Sequence, residues 1–193
     1  MADRAYLSPS FCIYLSLMLL LLPLQWLLAI TVAAAFHEAC HWVAIRLLGK
    51  QRVRLGLFAC GARMTLPSMS RGAELICALA GPVGSISLLL VAGFLPRIAV
   101  CGLVQGLYNL IPIYPLDGGR ILHCLAQLLF APPKAKKIVD FLEKTVCITI
   151  LAAGIWLLLI PGRSIMPLLI ALALLLRRKN GNIACKPKHL RVQ

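Results

Sequence analysis

Acidic residues are scarce in this chain: six Asp and Glu among 193 residues, against 20 Lys and Arg. Charged residues of both signs make up 13% and hydrophobic residues 61%, where an ordinary globular domain has about 25% and about 45–50%. So little charge cannot clothe a water-soluble core. Also missing are internal repeats, low-complexity linkers and any polar stretch the size of an appended domain. The loops 49–72 and 177–193 both fall short of the roughly 50 residues that an independent domain needs. The expectation is an all-α polytopic membrane protein, one membrane-embedded domain over 1–193, surrounded by lipid bilayer.

The uncharged run from Ser10 to Phe36 exceeds the about 20 residues that cross a bilayer, so it must fold back, and Pro23 is the natural bend. A secretory signal peptide over 1–35 is the competing reading, but the apolar stretch is about twice a normal signal core. Spans are therefore expected near 6–22, 24–48, 73–95, 98–130 (broken), 138–160 and 164–176, about six in all. With the N-terminus inside, only Arg97 and Arg163 of the 20 basic residues lie outside. The positive-inside rule then puts both termini in the cytoplasm, in a multi-pass arrangement in the cell membrane. The net charge of +14 follows from loop bias and anionic lipid. Nucleic acid is not an expected partner, because no basic folded domain exists to carry it. Of the eight cysteines, Cys12, Cys40, Cys77, Cys101, Cys124 and Cys147 fall in spans, where they act as small apolar residues.

Against this background "AAAFHEACHWVAIRLL", residues 33–48, stands out. A carboxylate at the centre of a membrane helix costs about 2.5–3.5 kcal/mol even on the lenient scale. His37 and His41 are four apart and share one helix face. Together with Glu38 they form His-Glu-x-x-His, in which two imidazoles bind zinc and the carboxylate serves as general base. A polar cluster that merely ties helices together is the bland alternative; it accounts for neither the spacing nor a second acid at membrane depth.

A catalytic zinc needs a third protein ligand and an open position. Of the six acids, Asp3 precedes the first span, and Glu74, Asp140 and Glu143 are expected at span entrances, satisfied by water or a helix N-terminus. Asp117 remains. It lies in "YNLIPIYPLDGGRIL", residues 108–122, where Pro112, Pro115, Gly118 and Gly119 break a segment too long for one regular span. Irregular backbone at this depth must be buried in protein or line a cavity. His41 and Asp117 follow the outer ends of their spans by similar numbers of residues, which sets both in the cytoplasmic half of the bilayer.

These residues resemble the site-2 proteases, a family of intramembrane zinc peptidases. The likeness rests on His37–His41, on Asn-x-x-Pro-x-x-Pro-Leu-Asp-Gly-Gly at Asn109–Gly119, and on "LAGP" at 79–82. Within the family the chain is most similar to the stage IV sporulation proteases of endospore-forming bacteria. The resemblance implies one Zn2+ per chain held by His37, His41 and Asp117, Glu38 as the catalytic base, and Asn109 lining the substrate path. It implies a membrane-associated precursor as substrate, in the sporulation branch pro-sigma-K in the mother-cell-derived membrane around the forespore. Inhibitory or docking membrane proteins are implied as partners, and homo-oligomerisation stays open. Neither a PDZ domain in the 49–72 loop nor a CBS domain after the last span is expected. Ser85 stands where much of the wider family has Asn, which puts a polar contact there in question.

Three rivals belong beside this reading: a site-2 protease acting on another substrate such as an anti-sigma factor, a membrane metal transporter with a His/Asp site, and a catalytically silent scaffold. Glu38 next to His37 favours hydrolysis over transport, where ligands should spread along a pore. Around the site, "RVRLGLFACGARMTL" at 52–66 alternates like a small β-hairpin between the second and third spans. It could clamp an extended substrate by strand addition, or be a plain interfacial loop. Cys40 is expected to pack rather than to ligate, and His123 to be structural. "PPKAKK" at 132–137 reads as a basic turn at the headgroups.

Overall fold

The computed structural model describes residues 6–7, 22–49, 54–58, 61–65 and 69–159. Helix α1 (Leu24–Gly49) begins at Pro23, whose carbonyl accepts from Trp26 N and Leu27 N at 2.9 and 3.1 Å. Its 26 residues contain no proline, and no glycine before its last. At 1.5 Å per residue it extends about 39 Å, more than the hydrocarbon thickness. Ala29, Ala33, His37, His41 and Ile45 recur every fourth residue and are all buried, one stripe along the helix. The opposite side exposes Leu28, Val32, Phe36, Val43 and Leu47. A helix apolar all round belongs in a bilayer or in the core of a large protein. Near its end the Arg46 guanidinium sits 5.1 Å from the centre of the Trp42 ring, a cation and an indole suited to the headgroup level.

Helix α2 (Arg71–Ser87) is capped by Ser70, whose Oγ accepts from Ala73 N at 3.3 Å. Glu74 in the first turn complements the helix dipole and pairs with Arg71 at 3.0 Å. The helix tightens into a 3-10 turn over Leu88–Val91. Helix α3 (Pro96–Asn109) follows. The three helices pack on one another pairwise through small residues. Cys77, Ala78, Gly81, Pro82, Gly84 and Ser85 are the buried face of α2, and Ala99, Gly102 and Gly106 that of α3. Apolar side chains gain nothing by leaving lipid for one another, so membrane helices associate where small residues let backbones approach. A Cβ on Gly102 would lie 2.7 Å from the Ser85 carbonyl oxygen, and one on Gly106 3.2 Å from that of Pro82.

The strands β1 (Tyr6–Leu7), β2 (Arg54–Phe58) and β3 (Gly61–Thr65) form one sheet in that order. β2 and β3 pair antiparallel, Arg54 opposite Thr65 and Phe58 opposite Gly61. β1 runs parallel to β2, Tyr6 opposite Gly56. Tyr6 and Leu7 therefore do not begin the helical span expected from residue 6. They are extended, and satisfy the otherwise unpaired edge of β2. The rest of that span to residue 21, and all of the one expected at 164–176, lie outside the described residues.

The described residues fall into two compact units, divided between Asn109 and Leu110. In the second, an irregular stretch over 110–116 leads into helix α4 (Asp117–Leu129), and helix α5 (Pro132–Leu158) follows after Phe130. α4 and α5 pack through Leu122, Ala126, Ala135 and Val139. The expected break in the 98–130 segment is real: the chain leaves helix at Asn109 and resumes it at Asp117. α5 starts six residues ahead of the expected 138. The "PPKAKK" stretch is its first turns, because proline at the first helical positions is pre-set for helix and loses no intrahelical bond. Two of the described helical segments, Leu24–Leu48 and Arg71–Val91, are long and apolar enough to cross a membrane.

Candidate metal centre

His37 and His41 project from α1 toward α2 and are 2% and 5% exposed. Each ring is fixed at its Nδ1. His41 Nδ1 lies 2.7 Å from the Cys77 carbonyl oxygen, which can only accept, so this nitrogen carries the proton and Nε2 keeps its lone pair. His37 Nδ1 lies 2.8 Å from Ser85 Oγ, and a hydroxyl can accept the same kind of bond. The two rings stand edge to face, centroids 4.7 Å apart at 83°, and their Nε2 atoms approach to 3.1 Å. Two nitrogens at about 2.0–2.1 Å from one tetrahedral zinc would be roughly 3.3 Å apart. Two lone pairs turned toward each other at this distance call for a cation or a proton between them. A ring anchored through Nδ1, with Nε2 turned inward, is also how metal-ligating histidines are held. The pair fits a zinc ion.

Room for the His41 ring comes from Gly81. A Cβ there would collide with the imidazole, 2.6 Å from Cε1 and 2.7 Å from Cδ2. Cys40, next along the helix, sits over Gly84, where a Cβ would strike its Sγ; it packs, as expected. Glu38 is half-buried beside His37 on α1. Asn109, the last residue of α3, brings its Nδ2 to 3.5 Å from His37 Nε2. The residue expected along the substrate path thus stands against the first imidazole.

Asp117 opens α4 and is 8% exposed. Its carboxylate lies at the positive end of the helix dipole and 3.7 Å from Arg120 Nη1. The glycines after it are a packing requirement. A Cβ on Gly118 would strike the Leu110 carbonyl, and one on Gly119 the backbone of Ile113 and Tyr114. His123 is exposed and bonds Gln127 at 2.8 Å.

Two residues depart from their sequence readings. Ser85 does make a polar contact, the one to His37 Nδ1. Glu143 does not sit at a wet span entrance. It is buried in α5 and accepts from Tyr114 N at 3.0 Å, because the early helix start carries it three turns inside. The sequence held a signal for neither, whereas the Gly102-x-x-x-Gly106 spacing was a readable sign of the α2–α3 contact.

Residues 65–153 match the family model described as Peptidase family M50. A zinc metalloprotease of Methanocaldococcus jannaschii is 28% identical over 138 residues, 64% of this chain and 41% of that protein. In structure, the site-2 protease from Methanocaldococcus jannaschii superposes with a TM-score of 0.68 at 23% identity, over 92% of this chain and 89% of the other. Together these matches make the chain similar to the site-2 proteases, the family model over less than half of its length. The family match includes Ser85, Asn109 and Asp117, while His37–His41 precede it. The superposition establishes the mostly helical site-2 protease fold. The aligned part spans less than half the length of the curated relative.

Proposed function

We propose that this chain is a zinc-dependent intramembrane endopeptidase. The observation that carries the reading is the pair of inward-turned Nε2 atoms, 3.1 Å apart, each on a ring anchored through Nδ1. His37, His41 and Asp117 are each buried and each offers one ligand atom. This donor set suits one zinc and leaves the open position that a hydrolase needs.

Bound there, zinc supplies Lewis acidity toward a peptide carbonyl and toward water. Glu38 takes a proton from the attacking water and returns it to the leaving nitrogen. Asn109 meets the substrate backbone beside His37 and orients the scissile bond. Ser85 and the Cys77 carbonyl keep both imidazoles from turning. The substrate must enter locally unwound, since helical hydrogen bonds occupy its carbonyls. The β2–β3 pair offers a strand edge that can hold such a segment extended.

In this reading both units belong to one membrane-embedded peptidase domain of six spans with cytoplasmic termini. The substrate is a membrane-associated precursor cut near the inner face. By resemblance to the sporulation proteases it is the pro-segment of a sporulation sigma factor, in the membrane around the forespore, with membrane partners that restrain the enzyme. The sporulation assignment rests on the sequence motifs alone.

The test is Glu38→Gln in defined lipid. The variant should keep the zinc content of the wild type and lose cleavage of a candidate membrane substrate by a factor of at least about 10²–10⁴, the usual worth of a general base. Full cleavage by Glu38→Gln would reject the peptidase reading, and zinc bound without cleavage by the wild type would favour transport.

A further inference from the structure

Glu143 is a buried acid that the proposed mechanism leaves unused. It belongs to the buried stripe of α5, Ala135, Val139, Glu143 and Cys147, at four-residue spacing. A carboxylate among such neighbours is costly unless hydrogen-bonded, and Glu143 Oε1 accepts from Tyr114 N at 3.0 Å. Tyr114 lies within the irregular stretch that delivers Asp117.

That stretch is wound tightly. Ile113 N donates to Ile111 O at 2.7 Å and Leu116 N to Ile113 O at 2.9 Å. It lies directly on the first turn of α4, since a Cβ on Gly119 would meet Ile113 O at 2.7 Å and Tyr114 N closer still. Irregular backbone at membrane depth must find partners for its amides within the protein, and α5 supplies one from Glu143. The Tyr114 amide, Gly119 and Glu143 thus meet at one point, three residues before Asp117. Tyr114 cannot shift without moving the start of α4.

We propose that Glu143 is a positioning residue that clamps the Tyr114 amide and thereby sets where Asp117 presents its carboxylate. The link to Asp117 as a ligand rests on the zinc peptidase reading; the clamp itself does not. Glu143 touches no reacting atom. What it supplies is an acceptor oxygen at a fixed reach. Gln keeps such an oxygen, Asp keeps the carboxylate but shortens the reach by about 1.5 Å, and Ala removes it.

The experiment compares wild type, Glu143→Gln, Glu143→Asp and Glu143→Ala in detergent, with Glu74→Ala, a half-buried acid on α2, as the control. Hydrogen exchange over residues 110–119 reads the clamp, and the rate of zinc loss to a chelator reads Asp117. Expected are faster exchange and about 10–100-fold weaker zinc retention in the Ala variant, the usual cost of losing a partner behind a metal ligand. The Asp variant should fall between, and the Gln and Glu74→Ala proteins should behave as wild type. If the Ala variant does not fold, the Asp and Gln pair carries the comparison. Unchanged exchange in both the Ala and Asp variants overturns the clamp. Faster exchange with unaltered zinc retention overturns its action on Asp117. Wild type that holds no zinc and cleaves nothing overturns the peptidase reading instead, and exchange still decides the clamp.

Discussion

His41 Nδ1 lies 2.7 Å from the Cys77 carbonyl oxygen, and the same ring rests on Gly81, one turn further along α2. A single helix thus both orients this imidazole and makes room for it. The carbonyl fixes the tautomer, because only a protonated Nδ1 satisfies it, and the missing side chain at 81 lets the ring approach. "LAGP" is therefore a seat for a ligand as well as a packing motif.

Gly81→Ala should displace His41 and weaken zinc binding about 10–100-fold or more, since a ligand itself moves. Gly84→Ala is the matched control. Its Cβ meets Cys40, with Cys40 Cβ at 2.9 Å, so it should lower thermal stability and leave zinc bound. Competition titration with a chromogenic chelator separates the two. Equal zinc affinity in both variants would remove Gly81 from the site.

Ser85 is fully buried and bonds His37 Nδ1 at 2.8 Å. Ser85→Ala removes the partner without adding volume and leaves the imidazole free to rotate. Zinc affinity should fall by at least about 10-fold, at the mild end of outer-partner effects, with helix content by circular dichroism unchanged. Wild-type affinity would mean that α1 packing alone orients the ring.

Gly102→Ala should destabilise the protein by about 1–3 kcal/mol, as overpacking does. The Ser85 carbonyl oxygen, 2.7 Å from the new Cβ, is backbone and cannot swing aside. Gly72→Ala, where nothing lies within 4 Å, should be neutral or stabilising by up to about 1 kcal/mol, because alanine suits a helix better. Melting temperatures in one detergent give the comparison. Equal melting of the two variants would show that the α2–α3 contact yields easily.

What the sequence disclosed tracks what local chemistry controls. His37 and His41 were legible because a four-residue spacing fixes their common face. Asp117 was legible because the prolines and glycines around it cannot continue a span. The start of α1 followed from Pro23. Glu143 was hidden, since hydropathy locates the apolar part of α5 and misses its polar first turns, where Pro132 rather than apolarity begins the helix. Its partner, the Tyr114 amide, lies 29 residues away, and no local pattern announces such a bond. Ser85 was concealed in the same way: its contact with His37 spans 48 residues. Tyr6 and Leu7 read as the start of a span because apolar residues serve a strand edge as readily as a helix.

Orientation is open to a chemical check. With cytoplasmic termini, Cys60 and Cys185 should be protected from an impermeant thiol reagent in intact cells and react in inverted vesicles. Labelling of Cys185 from outside, with Cys60 still protected, would require an odd number of spans.

The substrate assignment can be tested apart from the chemistry. In the six-span arrangement His41 and Asp117 lie in the inner half of the bilayer, close to short cytoplasmic loops, so a precursor whose scissile segment sits at the inner interface suits the site better than one cut at mid-membrane. Such a segment also needs little unwinding. Co-expression with pro-sigma-K in a non-sporulating host should yield a shortened sigma factor with wild type and none with Glu38→Gln. An intact sigma precursor alongside cleavage of an anti-sigma factor would move the protein to a different regulatory circuit and leave its peptidase chemistry in place. If neither is cut, while zinc remains bound and Glu38→Gln behaves like wild type in every assay, the His37, Glu38 and His41 constellation serves something other than hydrolysis.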